Sequence, residues 1–295
     1  VAIRSYPGLN ADYARKASEL KADYVFVLDK PVLDRGFVEV IDSLGLPFVW
    51  IDHHEVQVEN FEKEFDNFYV YNPVRNKGKN KSSEPTTYLC YNIANRKEDM
   101  WIAIAGCVSD RYLPNFSEEF GKNYREYWGI VKDAFDAYYK TEIGRIAMAL
   151  SFGLKDSITS VVQMQNFIIS CSGPEEVFAE VNSNSSFRHK YFSVKKKYDA
   201  LIEKAKESSD GKLIFFEYGG EISISADISN GLCYTYPEKY IAVAYRKGRM
   251  ANISMRGKNV RAILESVLKR LKDATGGGHK DAVGATIKIE DLEKF

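Results

Sequence analysis

The amino-acid sequence predicts an α/β protein: a parallel-sheet N-terminal domain with a helical part, and a smaller mixed α/β C-terminal domain joined to it by a connector helix. Three observations predict it. Through the first third of the chain, short apolar runs rich in β-formers alternate with helical patterns, the mark of βαβ units and of a parallel sheet covered on both faces. A charged helical stretch follows at 186–208. Beyond it the pattern turns to closely spaced strands, one helix and a run of three glycines. The boundaries are accordingly 1–185 for the N-terminal domain, 186–208 for the connector and 209–295 for the second domain. With 295 residues and a hydrophobic fraction of 45%, the chain can bury a core in each domain.

In order, residues 1–6 read as a strand and 10–21 as an amphipathic helix. Residues 24–28 form a short apolar strand ending at Asp29, 35–44 a helix, and 47–51 a buried strand ending at Asp52, His53 and His54. Residues 68–71 are a further strand, and 72–84 a polar loop with Arg75, Lys77, Lys79 and Lys81. A helix starts at 83–85, with Pro85 tolerated in its first turn, and the pattern stays mostly helical to 182. Aromatic residues at helical spacing there (Tyr124, Trp128, Phe135) are core packing. In the second domain, strands are expected at 212–218, 240–245, 250–255 and 285–289. A helix is expected at 259–272, and Gly276, Gly277, Gly278 and His279 form a loop between helix and final strand.

Composition narrows the function. Formal net charge is zero, so no global field draws the protein onto a polyanion, and nucleic acid would have to be held by a local patch or by metals. Cys90, Cys107, Cys171 and Cys233 form no metal-like cluster and read as buried free thiols in a reducing compartment. No apolar run approaches the roughly 20 residues that span a bilayer. No signal peptide is visible, and a cytoplasmic protein without membrane contact is expected.

The chemistry concentrates at strand ends. In parallel sheets ligands bind beyond the carboxyl ends of the strands, where Asp29 and Asp52-His53-His54 both lie. Three consecutive ionisable groups after a buried strand are costly unless solvated, hydrogen-bonded or bound to metal. Asp110 ends the apolar stretch 102–109. Asp29, His53 and Asp110 at one sheet rim make a ligand set of carboxylates and imidazole, which suits manganese, zinc or iron. A solvated turn and helix-terminal Asp residues would account for each motif singly. In the second domain, Gly276 to His279 lets backbone N–H groups approach a phosphate without Cβ interference, and Arg256, after Ser254, offers a planar fork for phosphate oxygens.

Asp29, Asp52-His53-His54 and Asp110, in that order, resemble the second, third and fourth motifs of the DHH phosphoesterases. Ser254-x-Arg256 and Gly276-Gly277-Gly278-His279 resemble the two signatures of the DHH-associated C-terminal domain. Residues 105–114 are similar to the archaeal RecJ-like branch, including its helicase-associated nucleases. The resemblance implies that Asp29 bridges two Mn²⁺ ions (Mg²⁺ being the alternative), with His53 and Asp110 as ligands of the second. It implies that Asp52 orients the site and that His54 contacts the scissile phosphate. Ser254, Arg256 and the Gly276–His279 run would bind another phosphate of the substrate, and Arg75, Lys77, Lys79 and Lys81 would track a nucleic-acid backbone.

The implied activity is a manganese-dependent phosphodiesterase, a single-strand exonuclease or oligonucleotidase using a hydroxide activated by two metals. Expected partners are single-stranded DNA or RNA oligonucleotides and a helicase or other DNA-repair protein. The alternatives are a phosphatase acting on phosphoadenosine, a cyclic-dinucleotide phosphodiesterase, or an inactive scaffold that keeps the fold. The family's first motif, H-x-D-x-D-G, is absent between Val1 and Phe295. It is expected immediately upstream of Val1, in a longer gene product, and without it this polypeptide is expected to hold at most one metal well.

Overall fold

The computed structural model describes residues 9–54, 61–78, 82 and 84–295. The expected strand at 1–6, the helix-start residue Ser83, and Lys79 and Lys81 lie outside the described residues. The chain divides into two compact units, Val1–Phe187 and Arg188–Phe295.

In the first unit, α1 (Ala11–Glu19) starts where the Asn10 side chain accepts the Asp12 N–H, an N-cap that satisfies one orphan donor. Then come β1 (Val25–Leu28), α2 (Arg35–Ser43), β2 (Phe48–Ile51), β3 (Phe68–Tyr71) and the short α3 (Pro73–Asn76). The last is a helical turn where a polar loop was expected. Asn72 caps it by accepting the Val74 N–H, and Pro73 fits its first position.

The three strands pair in parallel in the order β1-β2-β3, with Leu28 opposite Ile51 and Ile51 opposite Tyr71. Because strand side chains alternate, Val27, Phe48, Trp50 and Phe68 share one face and bury against Ala14 of α1 and Phe37, Val38 and Ile41 of α2. Phe48 and Phe68 stack at 4.7 Å. Both helices pack on that face. Among the described residues the opposite face is therefore open at its edges, with Phe26 60% and Tyr69 55% exposed. A sheet covered on both faces was expected; among the described residues these side chains of the second face are exposed.

The rest of this unit is helical: α4 (Thr86–Ala94), α5 (Met100–Ser109), α6 (Ser117–Asn123), α7 (Ala134–Lys140), α8 (Glu142–Gly153) and α9 (Ile158–Ser170). The stretch Met100–Ser109 is apolar nearly all round, and seven of its ten residues are buried, so α5 is the central helix. A Cβ at Gly106 would lie 2.6 Å from Thr87 Cγ2 and 2.9 Å from Thr87 Cβ. Glycine there lets α4 and α5 approach closely.

The long α10 (Ser185–Glu207) runs into the second unit. There follow β4 (Ser209–Asp210), β5 (Leu213–Gly219), α11 (Ser225–Thr235), β6 (Tyr240–Lys247), β7 (Met250–Arg256), α12 (Val260–Leu268), β8 (Thr275–His279) and β9 (Ala282–Lys288). They form one mixed sheet in the order β4-β5-β6-β7-β9-β8, in which only β5 and β6 are parallel. Ile253, Met255, Val283, Ala285 and Ile287 bury on one face against Val260 and Leu264 of α12.

Two expectations are corrected here. Gly276 to His279 is not a loop but part of the edge strand β8, paired residue for residue with β9. Helix α11 was not expected; its buried Ser225, Ile228, Ser229 and Leu232 fall at helical spacing, a signal the polar and glycine residues between them obscured. Of the cysteines, only Cys107 is buried; Cys90, Cys171 and Cys233 are half-buried, and none of the four is in a disulfide. Among the described residues no helix is long and apolar enough to cross a membrane.

Candidate metal centre and phosphate anchor

Asp29 and Asp52 each stand one residue past the end of neighbouring parallel strands. Their backbones extend the ladder, Asp29 N–H donating to Ile51 O at 3.0 Å and Asp52 N–H to Tyr71 O at 3.2 Å. Asp29 then turns in the left-handed region at φ 56, where a side chain other than glycine is strained. The fully buried Trp50 fixes that turn, its indole Nε1 donating to Lys30 O at 2.8 Å.

Asp52 is 2% exposed, and both its oxygens are used: Oδ2 accepts the His54 N–H and Oδ1 lies 2.9 Å from His54 Nδ1. His54 is held from the other side by Asn72, whose amide donates to its carbonyl at 3.1 Å. His53 Nε2 lies 3.4 Å from Asp29 Oδ1, and Thr86 at the start of α4 donates to the same oxygen at 3.3 Å. Ligand atoms of Asp29, His53 and His54 all lie within 4.8 Å of one another. Thr86 and Asn72 went unnoticed in the sequence. Asn72-Pro73 carried a legible capping signal, whereas nothing local marks Thr86.

Asp110 closes the apolar stretch 102–109 as the C-cap of α5, a helix end within the region read as mostly helical. The helix ends in a Schellman pattern, Tyr112 N–H to Cys107 O and Arg111 N–H to Val108 O, with Arg111 left-handed at φ 57. The Arg111 guanidinium lies over the Phe135 ring at 4.4 Å. The group within 4.8 Å does not include Asp110, but Asp110 acts on it through charge.

The electrostatics follow from these contacts. The hydrogen bond to His53 holds the Asp29 carboxyl below the usual carboxylate range, although burial opposes it. The same bond raises the His53 pKa against burial, with Asp110 adding to it, and the Asp52 bond raises that of His54. Asp110 keeps an exposed edge, yet protein crowding its carboxyl and the Asp29 charge both push its pKa up. Four ionisable groups thus share protons and negative charge at one spot. A carboxylate with two imidazoles, and a second carboxylate beside them, is a donor set that fits a divalent transition ion such as manganese. Asp52 orienting His54 through Nδ1 is the usual support for an imidazole acting through its other nitrogen.

In the second unit, Arg256 and His279 both pair with Ala282, Arg256 from β7 and His279 from β8. Directly opposed residues point to one face, so the two side chains emerge on the same side of the sheet, two strand spacings or roughly 10 Å apart. Arg256 Nε donates to Asn230 Oδ1 at 2.6 Å and Nη1 to Met255 O at 2.7 Å. Ser254 is buried, and its hydroxyl bonds that of Ser225 at 3.0 Å, so it supports the sheet face from within. Gly276 and Gly278 serve the strand pairing: a Cβ would meet Gly284 O at 2.7 Å and Ala282 O at 2.6 Å, and Gly278 has φ 140. Gly277 has neither constraint, with nothing within 4 Å of its Cβ position. Of the basic loop, Arg75 pairs with Glu62 at 2.8 Å and Lys77 with Glu84. Their charge is partly spent on the protein.

Residues 210–295 match the DHHA1 domain family. No curated protein sequence matches the chain. Among solved structures, RecJ from Thermus thermophilus in complex with Mn²⁺ superposes over 96% of this chain and 45% of its own, at TM-score 0.63 and 12% identity. An exonuclease RecJ bound to manganese covers 97% of this chain and 76% of its own, at 0.59 and 13%. The DHH domain of a member of a ribosomal-protein family covers 95% and 70%, at 0.59 and 15%. The chain thus spans less than half the length of the Thermus RecJ. At these identities the likeness is one of fold, and it covers both units of the chain. The chain thus carries a DHHA1 domain match over residues 210–295, and its fold as a whole is shared with these RecJ and DHH-domain structures.

Proposed function

We propose that the chain is a divalent-metal-dependent phosphodiesterase acting on short single-stranded nucleic acid as an exonuclease or oligonucleotidase. The observation that carries this is the convergence of Asp29, His53 and His54 within 4.8 Å, with Asp110 coupled to them, at the register-matched ends of β1 and β2. Asp29, His53 and Asp110 would hold the ion, with His54 beside them facing the substrate. The RecJ structures that share the fold are bound to manganese.

Bound divalent cations supply a nucleophilic water and neutralise charge building on the phosphate. The chain's own residues do the rest. Asp52 fixes the His54 ring, raises its pKa and so favours the protonated form that donates to a phosphate oxygen. Thr86 and the left-handed turn keep Asp29 aimed at the cluster. Arg256 and His279 provide a cation and a donor on one sheet face for a second phosphate.

The pairing of Arg75 and Lys77 with glutamates supports short substrates over long strands, because these two cations share their charge with the protein. A phosphoadenosine phosphatase or cyclic-dinucleotide phosphodiesterase would use the same chemistry. Hydrolysis of a single-stranded oligomer series, a duplex, phosphoadenosine and a cyclic dinucleotide, with manganese at two salt concentrations, decides between them. Oligomers should turn over fastest, with a salt slope worth about one or two phosphates. Faster hydrolysis of either small nucleotide would reassign the substrate. No hydrolysis by a longer product carrying the first motif would leave a scaffold.

A further inference from the structure

Helix α11 lies over β7 and touches it through two polar pairs, Ser225 with Ser254 and Asn230 with Arg256. The second has a consequence for the phosphate anchor. Arg256 meets three acceptors from three elements: Asn230 Oδ1 of α11 at 2.6 Å through Nε, Met255 O of its own strand at 2.7 Å, and Val283 O of β9 at 3.4 Å, both through Nη1. The guanidinium is planar. Bonds at Nε and Nη1 together set the plane and its rotation, and Asn230 supplies the one at Nε.

We propose that Asn230 is a positioning residue that aims the Arg256 guanidinium for anion binding; the proposal rests on the phosphoesterase reading of the chain. Two features of the residue support it. Asparagine is a poor helix former, yet it stands in the middle of α11, away from either cap. Its acceptor is also neutral, so it orients the arginine without cancelling the charge that a phosphate would meet. An aspartate here would supply the same geometry and lose that charge.

Binding of a labelled single-stranded tetranucleotide to the chain in EDTA, where no turnover occurs, tests this. Asn230→Leu should weaken binding about tenfold, the scale of one charge-assisted hydrogen bond. On an Arg256→Ala background the same change should add nothing, because the bond by which Asn230 aims the guanidinium is already gone. In parallel, the Arg256 Nε–Hε NMR signal should be sharp in the parent and shifted or broadened in Asn230→Leu. Asn230→Ser, too short to reach, should reproduce the effect if the leucine variant fails to fold. Equal affinity of variant and parent overturns the proposal, as does a further loss on the Arg256→Ala background or a parent that binds no oligonucleotide. A parent that binds the tetranucleotide but, with manganese and the first motif supplied, hydrolyses nothing sinks the phosphoesterase reading and leaves the positioning role of Asn230 standing.

Discussion

At the scale of single residues, the candidate metal centre ties ion binding to protons. His53 must lose its proton to bind an ion, and Asp29 and Asp110 hold that proton more firmly than water would. Manganese affinity should therefore start to fall at a pH above about 6.5, the ordinary imidazole value, and keep falling as the solution is acidified. Calorimetric titration of manganese between pH 8 and 6 measures it. His53→Ala should lower the affinity at pH 8 and flatten its pH dependence; equal affinity in the variant would remove His53 from the ligand set. The sign reverses for the metal-free fold. Histidines with raised folded pKa stabilise it below their unfolded value and lose that contribution as pH rises through the folded one. Asp29, with a lowered pKa, contributes above its unfolded value of about 3.9. The chain in EDTA should thus melt higher near pH 6 than at pH 8, and Asp110, whose pKa is raised, can only reinforce that slope. A melting temperature that rises from pH 6 to pH 8 would contradict the protonation pattern.

At the scale of elements, the site depends on how closely helices and strands approach. Gly106→Ala places a methyl group 2.9 Å from Thr87 Cβ, which no side-chain rotation relieves. Overpacking of this kind costs about 1–3 kcal/mol. Because Thr87 neighbours Thr86, the shift of α4 should also draw the Thr86 hydroxyl from Asp29. Denaturant unfolding together with manganese titration reads both effects; a variant as stable as the parent would mean that α4 and α5 are less tightly apposed. In the second unit, the turn between β8 and β9 is stapled to the start of α12. Asp281 Oδ1 accepts the Asn259 N–H at 2.6 Å, and the carbonyls of Asp281 and Lys280 accept those of Gly257 and Arg261. Asp281→Ala removes the side-chain bond and should cost about 0.5–2 kcal/mol, the range of lost helix caps. An unchanged denaturation midpoint would show that the two carbonyl bonds suffice.

At the scale of the whole molecule, two compact units each carry a hydrophobic core, one around Phe48, Trp50 and Phe68 and one around Ile253, Val283 and Ile287. The metal-ligand candidates all belong to the first unit, and the Arg256–His279 pair belongs to the second. Calorimetry should resolve two unfolding transitions, and manganese should raise only one, since a ligand stabilises the unit that binds it. His53→Ala should abolish that shift. A single transition that moves as a whole with manganese would show that the units unfold together.

Much of this was legible in the residues. Alternating apolar runs with ionisable groups at their ends determined that β1 and β2 form and that Asp29, Asp52, His53 and His54 lie at their carboxyl rim, because strand period and burial cost are local properties. The helical middle and the strand-rich second domain follow from periodicity in the same way. What only the tertiary structure decided depends on contacts between residues far apart in the chain. Thr86 reaches Asp29 across 57 positions, and Asn230 reaches Arg256 across 26. Asp110 acts on His53 from the end of α5, a coupling between elements that no local pattern marks. The glycine run became a strand because β9 supplies it with partners, a decision no local preference of glycine makes. The charge of Arg75 and Lys77, counted in the sequence as available, is shared with Glu62 and Glu84 once the chain is folded.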